Sequence, residues 1–275
     1  MNTPITIHIA NLHPFEGHPY QVRDDAEMDA LVGSIREHGI LTPLIVRPLE
    51  GTETEYEVIS GHRRLHAAQK AGISEVPAFV HAVSREEAAI QLVDSNLHRE
   101  RLLPSEKAFA YKMKFDALKH QGRTSGQLGP KLTIDAISEE DSGRQVKRYI
   151  RLTHLIPPLL TLMDEGRIAF TVGVELSYLT IEEQRAVLEA IELYDCTPSY
   201  SQACRMHRES EAGGVRNRIE AILAEEKPNQ REKVSFQYEQ LRRYFPSDYT
   251  PKQMTESILQ LLERERLRRL DRDAR

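Results

Sequence analysis

The junction between a strand and a helix around Gly61 is the feature that most constrains the fold of this chain. Residues 56–59 (Tyr-Glu-Val-Ile) are typical of a strand, and residues 65–71 are typical of a helix. Glycine lets the backbone turn tightly beside an anion, and the new helix offers free N–H groups and the positive end of its dipole. Arg63 and Arg64 add forked cationic donors. Taken alone, the segment fits a phosphate-binding turn and an ordinary turn before an amphipathic helix with solvated arginines equally well.

The composition is that of a chain with two or three modest domains. Its 275 residues are 40% hydrophobic and 29% charged. We find neither an apolar run of bilayer-spanning length nor a signal-peptide pattern, so we expect a cytoplasmic protein without a membrane partner. The net charge of −5 argues against a uniformly basic nucleic-acid coat, so any DNA contact requires a local basic face.

Hydrophobic periodicity predicts an α+β fold whose strands all lie in its first part. Strand-like runs occur at residues 4–12, 44–46, 56–59 and 76–80, and a helical pattern begins at Asp25. From Ser84 onward the patterns are helical, with breaks such as the Gly/Ser/Pro-containing loop at residues 122–131. We therefore predict an α/β domain over 1–100, an all-α domain over 101–205, a linker or frayed helix over 206–232, and a helical segment over 233–275.

A basic helix over residues 144–155 is the first candidate interface. Arg144, Lys147, Arg148 and Arg151 are spaced i, i+3, i+4 and i+7, so they share one helix face. A short predicted helix over 133–140 precedes it across a turn, which is the layout of a helix-turn-helix that reads the major groove. The alternative is a solvated helix in a bundle. The predicted DNA-binding residues are Thr133, Ser142, Arg144, Gln145, Lys147, Arg148 and Arg151.

Residues 94–101 form a second polar cluster where the α/β part meets the helical part. Asn96 offers an amide oxygen to a hard cation, and Arg99 is able to reach an anion. The alternative is a polar corner between helices. The histidines show no metal-ligand spacing, and the serines lack a base, so nucleophilic catalysis is not predicted.

Several segments in fixed order resemble the ParB family of chromosome- and plasmid-partition proteins, over about residues 9–195. Residues 18–23 (His-Pro-Tyr-Gln-Val-Arg) are similar to the family's Asn-Pro-x-Gln-Pro-Arg, and residues 34–47 are similar to its first box. Residues 61–67 (Gly-His-Arg-Arg-Leu-His-Ala) match its Gly-Glu-Arg-Arg box. Residues 96–102 match its Glu-Asn-x-x-Arg box, and residues 162–168 follow the helix-turn-helix in the family's order.

The resemblance implies a sulfiredoxin-like ParB N-terminal α/β domain that binds CTP with Mg²⁺, then an all-α helix-turn-helix domain that reads a palindromic centromere-like site in double-stranded DNA. It also implies a small helical C-terminal segment that dimerises, a homodimer that CTP closes into a sliding clamp, a ParA-type ATPase partner and association with the nucleoid or a plasmid. By position, Thr42 and Pro43 would lie beside the cytosine, and Asn96 would hold the metal. The rest of the implied nucleotide site is Gly61, His62, Arg63, Arg64, Ala67 and Arg99.

Two residues depart from the family pattern. His62 replaces the Glu that follows the box-two glycine, and Ser95 replaces the Glu that precedes the box-three Asn. Both family carboxylates lie near Mg²⁺ and the triphosphate, so their loss removes two negative charges from a site that needs hard oxygen ligands. Phosphate binding survives this change in our interpretation, whereas CTP hydrolysis is left open.

Two other functions fit the same sequence. One is a nucleotide-dependent enzyme on the same N-domain fold, such as a hydrolase, a kinase or a nuclease. The other is a transcription regulator that has lost nucleotide control.

Overall fold

A five-stranded mixed sheet organises the N-terminal part of the chain. The computed structural model describes residues 3–52, 54–99, 102–125, 134, 137, 138, 140–213, 216–225, 241, 243–246 and 249–273. The strands lie in the order β1-β5-β3-β4-β2, with β5 parallel to β3, β2 parallel to β4 and the other neighbours antiparallel. They are β1 (Ile5–His8), β2 (Leu12–Pro14), β3 (Leu44–Pro48), β4 (Tyr56–Ser60) and β5 (Glu75–Val80).

Helices cover both faces of this sheet. They are α1 (Ala26–His38), α2 (His62–Ala71), α3 (Arg85–Leu97) and α4 (Pro104–Ser125). Val58 of β4 packs in the apolar cluster with α1 and α2, whereas the next residue, Ile59, packs with α3 and α4. This alternation follows from the two-residue period of a strand and explains the near-continuous apolar run of β4.

Local signals set the ends of the first helices. Asp25 caps α1 by accepting a 2.9 Å hydrogen bond from the backbone N–H of Met28, and Gly39 ends that helix with φ +68°. Ser84 and Glu87 form a capping box at the start of α3, from which point the patterns of the sequence are helical. The segment predicted as one strand over 4–12 is interrupted by a short 3-10 helix, Ile9–Asn11. The His8 side chain caps this helix by accepting a hydrogen bond from Ala10 N–H.

A second apolar core joins the helices that follow α4. The helices are α5 (Gly143–Leu152), α6 (Pro157–Asp164), α7 (Phe170–Leu176), α8 (Ile181–Tyr194), α9 (Tyr200–Glu211) and α10 (Ile219–Ala224). Fully buried Leu152, Leu159 and Leu176 lie in this core. The sheet with its helices and this helical core belong to one compact unit, Met1–Glu225.

Part of the stretch over 206–232, predicted as a linker or frayed helix, is ordered helix that packs in the core. Residues 206–211 complete α9 and residues 219–224 form α10, with Met206, Ile219 and Ile222 buried in the helical core. Because this stretch is polar overall, its short i, i+3, i+4 apolar pattern at 219, 222 and 223 was not recognised as a packed helix. Residues 122–125 are helical rather than loop. The rest of that predicted loop, and half of the predicted helix over 133–140 including Thr133, lie outside the described residues.

The C-terminal unit, Glu226–Arg275, contains α11 (Pro251–Asp273). Met254 is buried, whereas Leu259, Leu261 and Leu262 are exposed. Among the described residues, no helix combines the length and apolar character that crossing a membrane requires.

A buried ion pair links the two central antiparallel strands. Arg47 and Glu57 are paired residues of β3 and β4, and Arg47 Nε donates to Glu57 Oε2 at 2.7 Å. Both side chains are about 95% buried, with 5% and 4% relative exposure. The second oxygen of Glu57 accepts the backbone N–H of Glu16 at 3.0 Å, so one carboxylate satisfies a cation and a loop amide.

We predict that Glu57→Ala destabilises the fold by about 3–5 kcal/mol, because it leaves the Arg47 charge buried and unpaired. Urea denaturation measures the change in the free energy of unfolding. Glu55→Ala is the matched control, since Glu55 is half-exposed and its carboxylate lies 3.6 Å from Nε2 of half-exposed His13; its expected change is under about 1 kcal/mol. Equal effects of the two substitutions would contradict this account of the ion pair.

Candidate functional site

A polar pocket of about 150 Å³ lies at the N-terminus of α2. It is bounded by the loop after β2, the β4–α2 junction and the end of α3. Its lining residues are His18, Gln21, Val22, Ser60, Gly61, His62, Arg63, Arg64, Ser95, Asn96 and Arg99. The pocket therefore brings together the two polar clusters that the sequence places 35 residues apart, at Gly61 and Asn96.

Gly61 shapes the floor of the pocket. Its φ of +104° belongs to the left-handed region that favours glycine, and a Cβ there would collide with the Leu44 side chain. No side chain caps α2, whose first residue follows Gly61 directly. The first amides of α2 are therefore available to an anion that enters the pocket.

The two arginines that follow His62 have different partners. Arg64 donates through Nη1 to the backbone carbonyl of Thr42 and, at 2.8 Å, to that of Pro43. Arg63 extends toward the start of α1, where its Nη2 lies 3.2 Å from Glu27 Oε2 and 3.9 Å from Asp25 Oδ1. Thr42 and Pro43 do not line the pocket, but Arg64 fixes their loop to its edge.

His62 is held as a neutral imidazole. Its Nε2 accepts the backbone N–H of Phe15 at 3.3 Å, and its ring lies 3.8 Å from the ring of His18. Burial, together with the neighbouring His18 and Arg99, lowers the pKa of His62 to about 3. Burial also lowers the pKa of His18. With Nε2 accepting, Nδ1 carries the proton of the neutral ring.

The end of α3 supplies a buried amide and an exposed guanidinium. Asn96 is buried, and its Nδ2 donates to Leu92 O at 2.7 Å and to Ser95 Oγ at 3.1 Å. The Arg99 guanidinium lies over the Tyr20 ring, 5.6 Å from its centroid. Ala67, which the resemblance implies in phosphate binding, has no exposed surface and packs in the sheet core instead. Its small side chain lets α2 approach the sheet closely.

On the basic face of α5, some side chains are exposed and others contact neighbouring residues. Arg144 and Lys147 are exposed at the start of the helix, next to Ser142, which caps α5 through the N–H of Gln145. Arg148 bonds Gln145 Oε1 at 3.2 Å, and its guanidinium lies over the ring of Phe170. Thus the predicted face contains an exposed N-terminal pair and residues that also pack against the helical core.

Arg151 has the most constrained position on that face. Its Nη2 donates to Ser177 O at 2.8 Å, and its guanidinium lies 4.1 Å from the centroid of the Tyr178 ring. The other face of Tyr178 stacks on His207, whose Nδ1 lies 2.7 Å from Glu175 Oε2. This stack was not predictable from spacing on α5 alone, because its aromatic and acidic members come from α7, α9 and the turn after α7.

The first turn of α4 joins the pocket to α5. Glu106 accepts the backbone N–H of Gln21, a pocket residue, at 2.9 Å. The next residue, Lys107, lies 2.6 Å from Asp141, which immediately precedes the Ser142 cap of α5. Tyr111, one turn further along α4, donates to the same Asp141 carboxylate at 2.6 Å. Two consecutive side chains of one helix therefore hold the pocket wall and the start of the basic helix.

Sequence reasoning missed the contribution of the loop after β2. His18, Gln21 and Val22 line the pocket, although the sequence analysis assigned none of them a role in it. The loop reaches the pocket because β2 pairs in parallel with β4, the strand that leads into Gly61. The Pro-containing loop at 13–19 gave no signal for that pairing.

Comparison with known proteins identifies the N-terminal part. Residues 1–97 match the sequence model of the ParB N-terminal domain. A probable chromosome-partitioning protein ParB of Mycobacterium leprae is 44% identical over 100 residues, which cover 36% of this chain and 30% of that protein. A nucleoid occlusion protein of Bacillus cereus is 34% identical over 162 residues, 55% of each chain. The chain thus spans about a third to a half of the length of these relatives.

Among solved structures, a C-terminally truncated chromosome-partitioning protein ParB from Caulobacter crescentus, complexed with CTP-gamma-S, is 23% identical with a TM-score of 0.33. The match covers 69% of this chain and 98% of that one. The match over residues 1–97 and the two relatives agree: the part of the chain that holds the sheet with α1, α2 and α3 is similar to the ParB N-terminal domain.

Proposed function

We propose that this chain binds CTP in the pocket at the start of α2 and double-stranded DNA through α5, as a partition-type DNA-binding protein of the ParB family. The observation that carries the proposal is the connection of the two sites through Glu106 and Lys107 on the first turn of α4. Binding at one site would then affect binding at the other site through the first turn of α4.

The pocket supports phosphate binding by its chemistry. Uncapped amides at the start of α2 and the guanidinium of Arg99 face one small polar space. Backbone amides at a helix N-terminus together with arginines are the usual donors to phosphate oxygens in proteins. The assignment of cytosine to the Thr42–Pro43 edge follows from the family resemblance, and the bonds from Arg64 to both carbonyls support a fixed edge there.

The start of α5 supports DNA binding. Arg144 and Lys147 are exposed, and Gln145 follows the capped turn, so the N-terminal end of the helix carries base-reading and phosphate-binding side chains. Because a helix-turn-helix grips one half-site, a palindromic target would be read by a homodimer. A ParA-type ATPase partner and residence on the nucleoid or a plasmid complete the proposal by family resemblance. The names of the relatives, chromosome partitioning and nucleoid occlusion, agree with such residence.

Arg99→Ala tests the nucleotide site. Arg99 is exposed and contacts the Tyr20 ring, so its removal leaves the fold intact. Loss of a charged donor to a phosphate weakens CTP binding by about 1.5–3 kcal/mol, or roughly 10- to 100-fold in Kd. Isothermal titration calorimetry measures this. Arg36→Ala, an exposed arginine on α1, is the control and keeps wild-type affinity. Equal affinity in Arg99→Ala and wild type would overturn the placement of the phosphates.

Substitutions at the start of α5 test the DNA site. Arg144→Ala lowers affinity for duplexes selected from genomic fragments by about 1–3 kcal/mol and relaxes base preference, whereas Lys147→Ala weakens all duplexes alike and reduces the salt slope by about 1. Fluorescence anisotropy over a salt series separates these effects. Lys112→Ala removes an exposed lysine of α4 that pairs with Asp116 and serves as the control. Wild-type binding by both α5 variants would rule out this face.

The neutral state of His62 predicts how stability depends on pH. The folded pKa is about 3, while the unfolded histidine titrates near 6.5, so between these values the unfolded chain binds a proton that the folded chain excludes. Stability therefore falls as the pH drops from 6.5, by up to about 1.4 kcal/mol per pH unit from this residue. Urea denaturation of His62→Gln should show a shallower loss than wild type.

The control for that series is His38→Gln, which changes an exposed histidine at the end of α1. Its loss of stability with falling pH should follow the wild type. If His62→Gln also parallels the wild type, the imidazole of His62 is not held neutral in the folded chain.

A further inference from the structure

Among the residues that the structure describes, the lining of the α2 pocket contains cationic and neutral groups but no carboxylate. Of the eleven lining residues, Arg63, Arg64 and Arg99 are cationic, and none is Asp or Glu. Mg²⁺ seeks six oxygen ligands in octahedral geometry, and proteins that bind it with nucleotides usually supply one or two carboxylates. The family resemblance implies Mg²⁺ with CTP, so the donors in this pocket decide whether the ion fits.

Four described acidic residues that contact or adjoin the pocket lining are already engaged. Glu27 and Asp25 pair with Arg63. Glu106 accepts the backbone N–H of Gln21 at 2.9 Å and that of Leu103 at 3.1 Å. Asp94 lies 2.6 Å from the ammonium of Lys114, a largely buried lysine. Recruiting any of these carboxylates to a metal would break an ion pair or a loop contact.

The neutral side chains at the two positions of departure are unsuited to replace the missing carboxylates. His62 uses Nε2 to accept the Phe15 amide, and its other nitrogen carries the ring proton, so neither nitrogen offers a lone pair to a metal. The Ser95 hydroxyl donates to Leu92 O at 3.0 Å and accepts from Asn96 Nδ2. The remaining hard donors in the lining are the neutral side-chain oxygens of Asn96, Gln21 and Ser60, and neutral oxygens without a carboxylate make a poor magnesium site.

We propose that the pocket binds the triphosphate without a divalent metal, through guanidinium groups and helix amides, and that it releases the nucleotide unhydrolysed. This inference rests on the proposed CTP binding. The arginines supply the positive charge that Mg²⁺ would otherwise bring to the phosphates. The protein then returns to its nucleotide-free state by dissociation of CTP rather than by cleavage of the γ-phosphate.

Calorimetric titration of the full chain with CTP, in excess EDTA and in millimolar MgCl₂, tests this directly. We expect Kd values that agree within about threefold, a difference of about 0.7 kcal/mol or less. Binding that weakens by about tenfold or more in EDTA would overturn the metal-free site while leaving CTP binding intact. Absence of heat in both conditions would instead refute the proposed function itself, so the two failures are distinguishable.

The double substitution His62→Glu with Ser95→Glu supplies the converse test. Restoring two carboxylates should create a dependence on MgCl₂ of about tenfold or more in Kd. The double substitution His62→Gln with Ser95→Gln, which adds no charge, is the matched control and should stay insensitive to MgCl₂. Magnesium dependence in that control would contradict the inference. So would release of inorganic phosphate by the wild-type chain above the buffer rate in MgCl₂ and DNA.

Discussion

The left-handed backbone at Gly61 is the constraint on which the rest of the site depends. Its φ of +104° turns the chain directly from β4 into α2, and the Leu44 side chain fills the space that a Cβ would need. Because of this turn, the first amides of α2 face the pocket. Arg63 contacts the start of α1, whereas Arg64 bonds the Thr42–Pro43 loop. Any other residue at this position would strain the turn and displace both arginines.

The second organising feature is the first turn of α4, where consecutive residues contact different parts of the molecule. Ser105 does not line the pocket. Its backbone N–H and its hydroxyl both donate to the Asp164 carboxylate at the end of α6. Glu106 holds the pocket loop, and Lys107 holds the turn before α5. Three consecutive residues thus connect the helical core, the α2 pocket and the basic helix. Such a connection gives the proposed nucleotide and DNA sites a common support through which they could be coupled.

Much of the fold could be predicted from the sequence because its signals are local. The Asp25 cap, the Gly39 stop, the Ser84 capping box and the strand before Gly61 are all present in the structure. The six residues of α10 were included in a predicted linker or frayed helix, because this short apolar run lies in a polar stretch and is fixed as a helix by packing on α8 and α9. Local composition does not contain that tertiary information.

The candidate site was predictable in its residue types and less so in their partners. The strand-to-helix turn and the Asn96 cluster each gave a signal, and their meeting in one pocket depends on α3 lying beside β4. Spacing put Arg144, Lys147, Arg148 and Arg151 on one face, but it could not show that Tyr178 would engage Arg151. The aromatic partner lies 27 residues away in sequence, so only the packing of the turn after α7 against α5 brings it near.

The central claim is that the phosphates of a nucleotide lie at the start of α2, held by protein donors alone. A crystal structure of the chain grown with CTP and MgCl₂ tests it most directly. The account predicts phosphate oxygens within about 3 Å of the first α2 amides and of the Arg99 guanidinium, without an ion coordinated by Asn96. A nucleotide bound elsewhere, or a magnesium ion bridging Asn96 and the phosphates, would contradict it.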